Sequence, residues 1–397
     1  MRYVFIVQGE GRGHLTQAMS MERLLRENGH EVVAILVGKS PARTLPAFFT
    51  SGVHVPVEPF ESFNFVPSSS NRKASVLRTA FYNVFHIASF LPSIGFIKRR
   101  LRALQPDAVV NFYDILGTLG YARSGLKAPM ICLGHQFLFL HRGFRFPRHG
   151  YEDRFPLNMF TRMVAWRASK ILALSFRKMP DDPRRRIKVV PPLLRPAVLA
   201  LRGPGGDDPS VRDGGYIHGY MLNAGFSRDI LDWHARHPEV GLHFFWDKAD
   251  EAPVKVVDDK LSFYYLDDVE FLRQMAGCHA YASTAGFESI CEAMYLGKPL
   301  LMVPSHVEQK CNAFDATEGF RFSQAAASLS SGSAGPSGHS PSPASSSLAR
   351  IRPAVRADSF DLDRLLEFAG HEFVADGAFP GWARSADGIF LKELTNF

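Results

Sequence analysis

The stretch YASTAGFESICEAMYLGKPLLMVPSHVEQKCNA, Tyr281 to Ala313, decides how this chain is read. Cys278 to Ser283 has the apolar run of a short strand, Thr284 to Phe287 is a tight loop, and Glu288 to Leu296 has helical spacing. The first turn of such a helix carries backbone N–H groups with no intrahelical partner, and together with the helix dipole they attract an anion such as phosphate. Gly286 lets a diphosphate approach the backbone, and Ser289 adds a hydroxyl. Glu292, one turn further on, places a carboxylate where it can accept two ribose hydroxyls. The spacing fits one nucleotide. The plain alternative, a buried strand–helix pair, needs the glycines, prolines and acids to coincide without purpose.

With Gly297, Pro299, Pro304, Glu308 and Gln309 downstream, these residues resemble the donor-binding half of GT-B glycosyltransferases. The likeness extends to the plant and animal UDP-sugar enzymes and to the N-acetylglucosaminyl transferase of peptidoglycan synthesis. In the UDP-sugar enzymes the pattern is H-x-G-x-N-S-x-x-E, then G-x-P, a proline and D-Q. Here Thr284 stands in place of the phosphate-binding His, and Glu288 in place of the Asn. The resemblance implies donor contacts from Thr284, Gly286, Phe287, Ser289 and Glu292, and sugar-hydroxyl contacts from Glu308 and Gln309. Phe263-Tyr-Tyr-Leu-Asp-Asp-Val resembles the turn with which the peptidoglycan enzyme reads uracil, which places the base near Leu266. Asp267-Asp268 reads as a helix cap ahead of a metal-binding pair.

A second signature opens the chain. Arg2 to Gln8 is a continuous apolar strand, followed by Gly9-Glu-Gly-Arg-Gly-His14 and a helical run to Glu27 that ends at Asn28-Gly29. A nicotinamide-binding unit wants G-x-G-x-x-G and an acid closing the next strand; here position 14 is His, and the 31–37 strand runs into Gly38-Lys39. The turn instead resembles the first loop of GT-B enzymes, which faces acceptor and donor phosphates. That implies donor-side roles for Gly11 and Gly13 and, by likeness to the plant enzymes, the catalytic base at His14. The plain reading of His14 is a helix residue packing on its loop. Asp114, after the strand 108–112, is either the carboxylate that orients this His, as the plant enzymes imply, or the cap of the helix from Ile115. His135-Gln136 is a reserve base or acceptor contact, while Arg12 and the turn Asn223-Ala-Gly225 can face the diphosphate.

The chain has 397 residues, long for one core. The expected architecture is α/β: two Rossmann-like halves with parallel sheets facing a cleft. The acceptor half is 1–195, with strands at 2–8, 31–37, 53–57, 108–112, 129–133 and 171–174. A Pro/Gly-rich linker covers 196–212. The donor half, 213–380, has strands at 215–222, 241–246, 261–265, 279–283 and 299–303 and a helix at 308–319. The Ser/Ala/Gly/Pro segment 323–347 reads as a flexible loop, and 381–397 as a helix that either crosses back to the first half or packs as core.

Lys and Arg number 46 against 39 Asp and Glu, a formal charge of +7 that favours anionic partners. Basic and aromatic residues cluster in 81–102 and 142–167, which suits either an anionic membrane surface or a greasy acceptor pocket; for 81–102 a buried helix with a solvated basic end is the other reading. No nucleic-acid module, metal-ligand cluster or C-x-x-C is present in the sequence, so neither metal nor cofactor is expected. From the isolated cysteines and the lack of a secretory start, the expectation is a cytoplasmic protein, peripheral on the membrane's inner face if it attaches there. The expectation is an inverting, metal-independent transferase, hexosyl or N-acetylhexosaminyl, acting from a nucleotide diphosphate sugar, UDP-linked, on a lipidic or cell-envelope hydroxyl. A nucleotide-sugar epimerase of the same fold and a non-catalytic nucleotide-sugar or membrane-binding protein are the alternatives.

Overall fold

The computed structural model describes residues 1–41, 44–63, 87–147, 154–202, 213–221, 224–247, 252–330 and 351–396. Its first sheet comprises β1 (Arg2–Gln8), β2 (Glu31–Lys39), β3 (Val57–Glu61), β4 (Ala108–Phe112), β5 (Met130–Gly134), β6 (Lys170–Leu174) and β7 (Ile187–Val190). The spatial order is β3-β2-β1-β4-β5-β6-β7, with every pair parallel. Helices cover both faces, and Val4 to Val7 and Val109 to Phe112 are accordingly apolar and buried along their whole length, Asn111 excepted. The second sheet comprises β8 (Tyr216–Met221), β9 (Gly241–Trp246), β10 (Val254–Val256), β11 (Leu261–Tyr265), β12 (Ala280–Ser283), β13 (Leu300–Met302) and β14 (Ala354–Arg356). Its order is β10-β11-β9-β8-β12-β13-β14, and only the edge strand β10 runs antiparallel.

In each sheet the strand order reverses at the first strand of its half. β1 lies between β2 and β4, and β8 between β9 and β12. Loops leaving the carboxyl ends of strands at such a switch point form a crevice. Those loops are the glycine turn after β1 in one half and, in the other, the turns after β8 and β12. Both quoted sequence signatures fall there.

Several boundaries differ from the sequence reading. The 53–57 strand lies at Val57–Glu61, where Pro59 is tolerated because β3 is an edge. The first half ends in a further strand not expected from the sequence, β7 at Ile187–Val190, and the two prolines that follow end it. Within 196–212, Pro196–Ala200 is helical with Val198 buried, and 203–212 lies outside the described residues. The helix expected at 308–319 runs from Val307 to Ser330, so 323–330, assigned to a loop, is helix; 331–350 lies outside the described residues. Of the stretch 81–102, 81–86 lies outside them, while Leu91–Leu104 buries Ile94, Ile97 and Leu101 in the first core, as the buried-helix reading had it. Among the described residues no helix is long and apolar enough to cross a membrane.

The C-terminal helices Phe379–Arg384 and Ala386–Thr395 return to the first sheet. Trp382 Nε1 donates to the Ser175 carbonyl at 3.0 Å, Tyr3 Oη to the Leu394 carbonyl at 2.9 Å, and Lys170 Nζ to the Glu393 carbonyl at 2.8 Å. Beside the switch point of the first sheet Gly38 has no room for a side chain: a Cβ there would collide with Asp114 Oδ2 and come within 2.9 Å of the Phe60 ring. Gly38→Ala should therefore cost roughly 1–3 kcal/mol by overpacking. Chemical denaturation checks this, and an unchanged midpoint would contradict the packing described.

Candidate active site

His14 is the third residue of the helix Arg12–Glu27 and projects from the glycine turn into the space between the halves. Its Nδ1 lies 3.4 Å from Gln17 Oε1, its Nε2 lies 3.3 Å from Gln136 Nε2, and its ring stacks at 5.8 Å on Tyr113. Both amides reach across to the second half. Gln17 Nε2 donates to Glu288 Oε1, and Gln136 Nε2 donates to Glu308 Oε1 at 3.0 Å. These bonds fix the direction of the chain: Nδ1–H donates to Gln17, and Nε2 is left as an acceptor. Burial pushes the His14 pKa down to about 4 against the opposing bond to Gln17, so the imidazole is neutral at pH 7. Burial likewise raises Glu288 to about 8 and Glu308 to about 7, each opposed by its glutamine. Glu288 Oε2 and Gln136 Oε1 are buried without a hydrogen-bond partner.

Gly13 takes its place from this arrangement. A Cβ there would sit 3.1 Å from Glu288 Cγ, so the glycine lets the glutamate cross the cleft. At Gly11 a Cβ would meet nothing. Arg12 bonds Asp247 at 3.2 Å and the Leu266 carbonyl at 3.5 Å, tying the glycine turn to the loop expected to read the base. Gly286 is the N-cap of Phe287–Tyr295 and supplies no side-chain cap, so the first-turn N–H groups stay open to an anion. Ser289 Oγ donates to the Gly286 carbonyl at 3.3 Å, and Thr284 is buried with its N–H on the Tyr220 carbonyl. Gly225 borders a cavity of about 360 Å³ beside Leu231, Trp246 and Phe263; Asn223 lies outside the described residues. Asp267 caps its helix, accepting from the Glu270 N–H.

Three expected roles change, and a fourth residue, Glu292, is engaged by an ion pair. Asp114 does not orient His14: its oxygens accept from the Gly117 N–H and from Ser62 Oγ, both at 2.7 Å, which makes it a helix cap. Burial raises it to about 6 against those two bonds. His135 is packed rather than presented, with Nδ1 2.8 Å from the Leu174 carbonyl and its ring stacked at 4.0 Å on Phe287, which also lies against Phe176. Gln309 turns its carbonyl back to the Ser305 N–H and hydroxyl, at 2.9 and 2.7 Å, and so shapes its own loop. Glu292, expected on ribose, is buried and held by Arg195, whose Nε and Nη2 donate to its two oxygens at 2.6 and 2.9 Å while Nη1 bonds Asp268. Gln17, Gln136 and Arg195 were not singled out in these roles by the sequence. Gln17 lies one turn after His14, and Gln136 follows His135, but nothing local reveals which carboxylate each meets. Among the described residues no group of three His, Cys, Asp or Glu side chains is placed to hold a metal ion.

Two parallel α/β halves facing each other at their strand carboxyl ends, with an open helix start on one side and His14 on the other, define a GT-B glycosyltransferase. A family model described as glycosyl transferase family 1 matches residues 1–320, and the chain belongs to that family. Solved structures share the fold along nearly its whole length. Arabidopsis thaliana UGT89C1 complexed with quercetin aligns with TM-score 0.59 and 14% identity over 99% of this chain and 98% of its own. The spinosyn rhamnosyltransferase SpnG complexed with thymidine diphosphate aligns at 0.56 and 14%, covering 100% of both chains. The glycotransferase of kitacinnamycin aligns at 0.55 and 16%, covering 98% of both. At such identities the likeness is one of fold. No curated protein matches the chain.

The buried glutamates give the site a pH signature. A carboxyl held above its ordinary value adds stability that is full below the unfolded value and is lost as pH rises through the folded one. For Glu308 and Glu288 that loss falls between about pH 5 and 8, with a slope of at most roughly 1.4 kcal/mol per pH unit for each group. His14, held low, acts oppositely, its contribution fading as pH falls from about 6 to about 4. Thermal melting from pH 5 to 9 should show the alkaline decline, and Glu288→Gln, which keeps an acceptor for Gln17, should flatten it. A decline identical in the variant would remove Glu288 from the account.

Proposed function

We propose that the chain moves a sugar from a nucleotide diphosphate donor, UDP-linked, to a hydroxyl of an apolar lipidic or cell-envelope acceptor, with inversion and without a metal ion. One observation carries this reading: His14 stands between the halves as a neutral imidazole whose Nε2 meets only a displaceable amide among the bonds described. An acceptor hydroxyl replacing the Gln136 amide would donate to Nε2. As its oxygen attacks the anomeric carbon, its proton passes to the imidazole and the bond from that carbon to the diphosphate breaks. The departing oxygen keeps the electron pair, and the open first turn of Phe287–Tyr295 is suited to receive its charge. Tyr113, with Phe137 and Phe160 against it, forms an aromatic wall beside His14 that favours an apolar acceptor. The thymidine diphosphate and UDP in neighbouring structures support a nucleotide diphosphate donor. For Glu292 to take ribose hydroxyls Arg195 must release it, so in this reading donor binding and loss of that ion pair are one event.

His14→Ala should cut turnover by roughly 10²–10⁴ while the rise in melting temperature with UDP persists, because the imidazole takes its proton only during attack. Retained turnover would overturn the assignment of the base. Donor consumed without any acceptor, giving an epimerised sugar, would overturn transfer itself.

A further inference from the structure

The helix Arg154–Val164 and the turn that follows it have two apolar sides. The inner side packs on the acceptor wall: Leu157, Thr161 and Val164 are buried, and Thr161 Oγ1 shares a 2.7 Å hydrogen bond with Tyr113 Oη. On the opposite side Phe155, Met159, Met163 and Trp166 follow at i, i+4, i+8 and i+11 and are 69%, 47%, 50% and 53% exposed. Positions so spaced share one face of a helix. Single exposed apolar side chains are ordinary, but a contiguous row marks an interaction surface. The sequence around it is basic. Residues 142–167 hold six arginines against two acids, Arg162 flanks Met163 and is exposed, and the Arg167 guanidinium lies 5.9 Å from the centre of the Trp166 ring.

We propose that this row docks the first half on an anionic lipid surface, with Phe155, Met159, Met163 and Trp166 entering the headgroup–acyl boundary and Arg162 and Arg167 on lipid phosphates. Apolar bulk flanked by arginine suits a helix lying in the plane of such an interface. A second copy of the chain fits less well, since a two-fold contact would press the same positive charge against itself. The opposite side of the helix meets Tyr113, which stacks on His14, so docking would bring a membrane-borne acceptor to the wall beside the base. That consequence rests on the proposed transfer; the docking does not.

The test is sedimentation with vesicles of phosphatidylglycerol and phosphatidylcholine in equal parts, against phosphatidylcholine alone. The wild-type protein should pellet with the anionic vesicles and be released by salt. The variant F155S/M159S/M163S/W166S should stay in the supernatant with its melting temperature kept, because these side chains are exposed. R162E/R167E, which leaves the apolar row intact, should bind roughly tenfold or more weakly. Wild-type protein remaining soluble with anionic vesicles, or both variants pelleting as the wild type does, would overturn the proposal. So would a wild-type dimer that the fourfold variant converts to monomer. Failure of transfer assays with vesicle binding intact would instead count against the proposed reaction alone.

Discussion

The structure depends on one chain of hydrogen bonds, Glu288–Gln17–His14–Gln136–Glu308, which begins and ends in the second half and passes through the first. Such a chain holds only if every member donates and accepts in the right sense. Each glutamine Nε2 donates to a carboxyl oxygen; Gln17 turns its carbonyl to Nδ1, so His14 supplies the proton there, and Gln136 turns its other N–H to Nε2, which accepts. The enclosure that keeps the imidazole neutral also keeps both carboxyls above their ordinary values. Closure of the halves and readiness of the base are thus one physical state.

A second constraint lies at the back of the cleft. Arg195, at the end of the first half, is enclosed between Glu292 and Asp268, and breaking one side of such a buried pair costs about 3–5 kcal/mol. The residue whose spacing best suits a ribose is therefore the one that the chain itself occupies, through the segment joining the halves. Arg177 with Asp315 at 2.5 Å, and His135 stacked on Phe287, add to the same contact surface. The site is assembled by the meeting of the halves, which explains why its polar groups are bonded to one another.

Much of the fold was legible because parallel strands buried on both faces read as unbroken apolar runs, as in Arg2–Gln8 and Ala108–Phe112. Short edge strands were not: Val254–Val256 is exposed throughout, Ala354–Arg356 is brief, and neither carries a buried pattern. In the site, Gly286 caps its helix, and Ser289 and His14 lie in the first turns of the helices that follow the two glycine loops. Motif spacing did not distinguish a carboxylate facing a ligand from one facing a partner. Asp114 follows its strand correctly, yet it caps the next helix, because a carboxylate one residue before a helix finds the first-turn N–H groups before anything else. Glu292 has the right turn of the right helix, and only the folded position of Arg195, on the Leu-Leu-Arg-Pro stretch between the halves, reveals what it binds. Cross-half pairs leave no local trace, since each partner's sequence context is complete without the other.

The most direct measurement is the protonation state of His14, read by nitrogen NMR of the imidazole-labelled protein and assigned by the resonance lost in His14→Gln. A neutral ring from pH 8 down to about pH 5, protonated at Nδ1 and with Nε2 carrying the lone pair, is the result this account predicts. An imidazolium at pH 6, or a proton resident on Nε2, would contradict it, because neither allows the bonds to Gln17 and Gln136 to run in the sense that closes the cleft.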